Sequence, residues 1–212
     1  MGYYKINNMR TEFDKPTLVL ASASPRRAEL LTKAGIEFVK MPSNIDEEEI
    51  HKRFRQEDVN KRYTKNFAKE MALAKLSPFV GTTKNGAVIT ADTVVYFDGR
   101  IIGKPHTKEK CREQHQLLGG TTSYAITAVA VHYNGRTVYK VTSYPVKIAP
   151  LPDDVIETIC NEPYTLECAG YRSSGAIGPY MRVNKNYYQG VAGLDLPLLR
   201  KMLKKVKFPL NV

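Results

Sequence analysis

The 212-residue chain has no tryptophan, three cysteines, four histidines, and only 21 acidic residues against 32 basic ones. Each scarcity narrows the reading. Cys111, Cys160 and Cys168 are an odd count with no C-x-x-C pair, which fits plain buried or half-buried thiols in a reducing compartment. His51, His106, His115 and His132 show no ligand spacing, so a histidine-based metal site is not expected. No apolar run approaches the ~18 residues of a membrane span. The opening "MGYYKINNMRTEFDK" is polar and lacks the apolar core of a signal peptide. A cytoplasmic protein without a membrane partner is the expectation. Neither the P-loop pattern nor the dinucleotide-binding glycine fingerprint occurs.

What is abundant is positive charge. The formal net charge is +11, and "LLRKMLKKVKFPLNV" holds five cations and no acid. Such a balance attracts polyanions, nucleotides included. The local excess reads as the solvated face of a helix rather than a nucleic-acid surface, because no RNA-binding strand motif or zinc finger accompanies it. A nucleic-acid-binding module is the less favoured alternative.

Helical and strand patterns alternate along the chain. Strands are expected at 17–21 and 36–40, and through "GAVITADTVVYF". Turns at Asp98-Gly99 and Asn134-Gly135 predict two antiparallel hairpins. Helices are expected at 25–35, from Asn44 through "IDEEEIHKRFRQ", over 63–76, after Thr107, after Pro152 and over "LDLPLLRKMLKKV". The result is an α/β fold with a mixed sheet and flanking helices. Residues 1–16 read as a loosely held arm and 17–212 as a single domain, with the strand-heavy middle forming one of two lobes.

Two stretches break local rules. In "LASASPRRAELL", Ser24 reads as an N-cap and Pro25 as the first helical residue, and Arg26 and Arg27 follow. Cations at a helix N-terminus are disfavoured by roughly 0.3–1 kcal/mol each. Serine hydroxyls, free N–H groups and two guanidinium forks suit a phosphate. Alternatively, both arginines point outwards and pair with acids such as Glu29. In "ITADTVVYF", Asp92 interrupts an apolar strand, which is costly unless the carboxylate is hydrogen-bonded or binds a cation. It is either satisfied in the core or placed to hold a metal or activate water. Lys104, in "GKP" past the hairpin, could meet a phosphate from the other side. The acids of "IDEEE" are ordinary for a first helical turn. Together these groups suit phosphoryl or nucleotidyl chemistry with a divalent cation.

These residues resemble the Maf family of nucleotide pyrophosphatases. The shared elements are "LASASPRRAELL", Asp46-Glu47, "ADTVVYFDGRIIGKP" and "GVAGLDLPLL", in family order over roughly 17–205. The resemblance implies an elongated mixed sheet with two lobes around a cleft. It implies hydrolysis of a nucleoside triphosphate between the α and β phosphates, with Mg²⁺, Mn²⁺ or a similar cation, and it is compatible with a homodimer. By matching position, Ser22 and Arg27 are implied phosphate contacts, with Arg26 supporting. Glu47 is an implied metal-side carboxylate, Asp92 the main catalytic carboxylate, and Lys104 a phosphate clamp. "SPRR" and "ADT" resemble members acting on dTTP and UTP, whereas "ECAG" resembles 7-methyl-GTP members. Two departures stand out. Met71 takes the place of a family lysine, with Lys75 one turn along the same helix face. Ser174 or Gly175 stands where the family has glutamine or glutamate. These departures motivate an alternative: a catalytically weak homologue that binds a nucleotide or a partner and is linked to cell division.

Overall fold

A computed structural model describes residues 10–54, 59–172 and 174–210. Seven strands form one mixed sheet: β1 (Thr11–Leu20), β2 (Val39–Lys40), β3 (Thr83–Phe97), β4 (Arg100–Ile102), β5 (Thr122–Tyr133), β6 (Arg136–Ile148) and β7 (Met181–Arg182). Their order is β2-β1-β3-β5-β6-β7, with β4 also on β3. The β1 pairings to β2 and β3 are parallel and the rest are antiparallel. At 15 residues, β3 spans about 50 Å, so the sheet is long in the strand direction.

The main helices are α1 (Pro25–Lys33), α2 (Glu48–Arg53), α3 (Lys61–Leu76), α4 (Lys108–Leu118), α5 (Asp153–Asn161), α6 (Tyr188–Val191) and α7 (Leu196–Lys205). Side-chain caps start four of them. The Ser24, Asn60, Thr107 and Asp195 side chains accept from the N–H groups of Arg27, Tyr63, Lys110 and Leu198. Both hairpins turn as expected. Asp98-Gly99 and Asn134-Gly135 all have positive φ, as a type I′ turn requires.

Strand alternation sorts the core into two faces. Leu18, Leu20, Ala87, Ile89 and Ala91 pack with Leu30 and Leu31 of α1 and Leu199 and Leu203 of α7. Val19, Ala21, Val88, Val94 and Ile126 pack with Phe67, Ala68, Met71, Ala72 and Leu76 of α3. At the far end of the long strands, Val95, Ile102, Tyr144 and Val146 pack with Leu118 and Ile159. The basic C-terminal stretch is amphipathic: Met202 and Leu203 are buried, while Lys201, Lys204 and Lys205 face solvent.

Three expectations are corrected. The first strand starts at Thr11, not 17, because Thr11 and Glu12 pair with Thr83 and Lys84 before a bulge. Residues 11–16 of the expected arm therefore belong to the sheet or its bulge, Arg10 precedes it, and 1–9 lie outside the described residues. Asn44 does not cap α2. That helix starts at Glu48, whose N–H donates to Asp46 Oδ1 at 2.9 Å. The last two residues of the expected "IDEEEIHKRFRQ" helix lie outside the described residues.

Gly190 and Tyr144 make the tightest junction between α6 and the sheet. A Cβ at Gly190 would collide with the Tyr144 ring, whose hydroxyl donates to the α7 cap Asp195 at 2.8 Å. Gly190→Ala is therefore expected to cost roughly 1–3 kcal/mol by overpacking, read as a fall of several degrees in Tm. Burial also lowers the pKa values of His115 and His132 from the ordinary 6.5. Below about pH 6.5 the unfolded chain binds these protons and the folded chain resists them. The stability these groups contribute is fully present above 6.5 and is lost as pH falls through their lowered folded values. Thermal melts from about pH 7 to pH 5 should show Tm falling over that window, before most carboxylates titrate.

Candidate active site

The site forms where β3 changes partner. β1 pairs with β3 as far as Leu20 and Ile89, and Ala21 N–H donates to Ile89 O at 2.9 Å. The chain then leaves the sheet through Ser22–Ser24 into α1. β4 takes over that edge of β3 only at Val95, while β5 holds the opposite edge from Val88 to Tyr96. Residues 90–94 thus have an edge uncovered by either neighbour. β1 leads outward to β2 and β3 leads the other way, so a crevice opens at the carboxyl end of β1. Open α/β sheets bind ligands at such a switch point.

Alternation along β3 divides its side chains across the crevice. Thr90 and Asp92 point to the α3 face, and Thr90 Oγ1 donates to Ala72 O at 2.7 Å. Thr93 points to the α1 face, where its hydroxyl lies 3.1 Å from that of Thr127. Thr127 Oγ1 in turn donates to Gly190 O at 2.8 Å.

Arg27 fills the α1 side. Its Nε donates to Gly193 O at 3.1 Å, one terminal nitrogen to Ser22 Oγ at 3.0 Å and the other to Thr93 Oγ1 at 3.3 Å. Burial lowers its pKa, and the charges of Asp92 and Glu47 pull the other way. A buried guanidinium remains protonated at neutral pH. The Ser24 N–H also donates to Ser22 Oγ at 3.3 Å, which fixes that hydroxyl at the mouth of α1.

The other side carries paired charges. Lys75 Nζ lies 2.6 Å from Asp92 Oδ1 and 3.1 Å from Glu47 Oε1. Asp92 is 9% exposed, so its carboxylate depends on this partner. Two carboxylates and two cations thus balance at the crevice.

Of the expected site residues, Ser22 and Arg27 are joined directly, as are Glu47, Lys75 and Asp92. Arg26 is half-buried, with its Nε buried and its terminal nitrogens donating to Glu29 at 2.8 Å and to the Tyr188 hydroxyl at 2.8 Å. The pairing with Glu29 expected of the alternative is thus seen for Arg26 and not for Arg27. Lys104 lies past β4, half-exposed and 3.5 Å from Glu167. No bond to the Arg27 or Lys75 groups is seen for it among the described residues.

Met71 is buried in the α3 core, whereas Lys75 reaches the two carboxylates. In the late segment a carboxylate does lie beside Gly175, but it belongs to Glu162. Its Oε1 accepts from Ala176 N–H at 2.6 Å, and it would collide with any Cβ at Gly175. Ser173 lies outside the described residues. The sequence reading missed Thr93, Gly193 and Tyr188. Thr93 was legible as the neighbour of Asp92 on the opposite strand face. Gly193 has φ +105°, and a Cβ there would press on Arg27 and Thr93 at 3.3 and 3.4 Å. Nothing local marks Tyr188.

Comparison with known proteins places the chain in a family. The family model described as "Maf-like protein" matches residues 17–206. The chain is 33% identical over 198 residues to a dTTP/UTP pyrophosphatase of Neisseria gonorrhoeae, covering 91% of this chain and 95% of that one. It is 30% identical to a nucleoside triphosphate pyrophosphatase of Corynebacterium efficiens, covering 88% and 92%. It is 29% identical to a dTTP/UTP pyrophosphatase of Pyrococcus horikoshii, covering 88% and 95%. The Staphylococcus aureus Ham1 protein overlays with a TM-score of 0.40 at 13% identity and 91% coverage of both chains, a likeness too loose to carry an argument.

A lysine at 27 has one nitrogen and cannot hold Ser22, Thr93 and Gly193 together while presenting a fork to an anion. Arg27→Lys is expected to weaken binding of inorganic tripolyphosphate on the order of tenfold or more by calorimetry. Arg26→Lys should weaken it less.

Proposed function

The chain belongs to the Maf-like protein family, and we propose that it hydrolyses nucleoside triphosphates between the α and β phosphates, releasing a nucleoside monophosphate and pyrophosphate. The observation that carries this reading is the pairing of a half-buried arginine, hydrogen-bonded through each guanidinium nitrogen, with a lysine-bridged carboxylate pair across one crevice. Dedicated anion contacts lie on one side and hard oxygen ligands on the other. Uridine and thymidine triphosphates are the proposed substrates, in keeping with two of the relatives named above.

Asp92 and Glu47 fit a divalent cation. Both are oxygen donors, and one ammonium group bridges them. Magnesium is commonly held by one or two carboxylates plus substrate phosphates. When bound, such an ion shields phosphate charge and lowers the pKa of water. The chain's own groups do the rest. Ser22, the α1 N-terminus and Arg27 hold and orient the phosphates. Lys75 supplies the opposite charge beside the poorly solvated Asp92 carboxylate and adds positive charge next to the substrate. Asp92 accepts the proton of the water that attacks the α-phosphorus as pyrophosphate departs. Lys104 and Arg26 approach from the rim, once their present partners Glu167 and Glu29 are exchanged for phosphate oxygens. The domain doing this work is taken to include the sheet from the start of β1 at Thr11, acting as a house-cleaning enzyme of the nucleotide pool.

Against the weak-homologue alternative, the reading gives Lys75, which reaches both carboxylates, the part of the family lysine that Met71 replaces.

Purified protein incubated with Mg²⁺ and, in turn, UTP, dTTP, CTP, GTP, ATP and 7-methyl-GTP should release pyrophosphate from the pyrimidine set. Asp92→Asn should lower that rate by about 10²–10⁴, and chelation should abolish it. Full activity in Asp92→Asn, or orthophosphate in place of pyrophosphate, would overturn the assignment.

A further inference from the structure

Two cysteines far apart in sequence meet between α4 and α5. Cys111 is 0% exposed and Cys160 2% exposed, and their Sγ atoms lie 2.6 Å apart. They share an apolar cluster with Ile156, Leu151 and Leu166. His115, one turn along α4, sits beside them, with Nδ1 2.8 Å from Cys111 O and 3.5 Å from Cys111 Sγ. Spacing along the chain hid this convergence, since 49 positions separate the two thiols.

The same three side chains could be read as a metal centre. The sulfur separation argues against it. Two thiolates on one tetrahedral zinc, each about 2.3 Å from the ion, stand roughly 3.8 Å apart. The sulfurs here are well inside that spacing, on the side of a covalent bond.

We propose that Cys111 and Cys160 are a reversible dithiol–disulfide pair that, when oxidised, fastens the helix behind the Lys104 loop to the helix leading to the Glu167 segment. The placement gives the bond a consequence. α4 begins four residues after Lys104, and α5 runs into the turn that carries Glu167, Lys104's partner at 3.5 Å. Non-covalent contacts already join the two units. Arg112 pairs with Glu157, His106 N–H donates to Leu166 O, and Gly170 N–H donates to Gly103 O. A covalent link holds this unit closed and limits how far Lys104 can swing towards the crevice.

The oxidant is a low-molecular-weight disulfide such as oxidised glutathione. One cysteine thiolate attacks its S–S bond, forming a mixed disulfide and releasing one small thiol. The second cysteine thiolate attacks the protein sulfur of that mixed disulfide and releases the other. Two electrons and two protons pass from the cysteines to the two released thiols. Burial and the neighbouring sulfur push the Cys111 thiol up to about 12, so the exchange is slow and runs through opening of the α4–α5 contact.

The test is to incubate the full chain with oxidised glutathione for hours, unfold it in alkylating agent, and map disulfides by mass spectrometry. The expected result is a 111–160 cross-linked peptide with Cys168 alkylated. Tm should rise by roughly 5–10 °C, reversed by dithiothreitol. Cys168→Ser should retain the cross-link and the shift, and Cys160→Ala should lose both. Free thiols at 111 and 160 after exhaustive oxidation would overturn the proposal, as would a cross-link involving Cys168. So would one zinc per chain that Cys160→Ala loses. These readouts need no catalysis, so they stand or fall apart from the pyrophosphatase reading.

Discussion

Arg27 is half-buried among protein groups, and a charge withdrawn from water is costly unless its hydrogen bonds are met and an opposite charge lies near. Here Ser22, Thr93 and Gly193 take its donors, and Asp92 and Glu47 supply the opposite field. Meeting those demands fixes much else. The chain must leave β1 at Ala21 to place Ser22. β3 must run past the end of β1 to offer Thr93. The α6–α7 connection must bring a glycine carbonyl within 3.1 Å. One guanidinium therefore ties together three segments separated by up to 166 positions.

The same demand explains the charge pattern. Asp92 could not be buried beside Arg27 alone, since that cation is already shared among three oxygen acceptors. Lys75 completes the balance, and it is delivered by the α3 face that also carries Phe67, Met71 and Ala72 into the core. A helix that packs through one stripe and reaches the crevice from its flank joins folding to chemistry. Glu47, at the start of α2, is half-exposed, whereas Asp92 is buried, so the two carboxylates that share Lys75 differ in their access to solvent. The cysteine pair lies in a different region, behind Lys104. It lies beside the segment that carries Lys104 and makes no bond to the Arg27 framework among the described residues.

Local chemistry made much of this legible beforehand. Both hairpin turns, the caps at Ser24 and Thr107, and the alternation that separates the two core faces follow from residue type and spacing alone. Asp92 stood out because a carboxylate in an apolar strand needs a partner, and Arg27 because cations oppose a helix dipole. The start of β1 was misread because "TEFDKP" is polar and ends in proline, which suggests a free arm. Pairing with the exposed start of β3 overrides that propensity.

By itself, then, the sequence determined the alternating α/β pattern, the turns, the capped helices and the residues whose charge had no local reason. Tertiary structure alone decided which arginine bonds Ser22 and Thr93, that Lys75 and not position 71 meets the carboxylates, that Lys104 rests on Glu167, and that Cys111 finds Cys160. The physical reason is range. Hydrogen-bonded periodicity and turn geometry act over a few residues, whereas the partner of a buried charge or thiol is set by which strand faces and helix flanks converge once the sheet has formed.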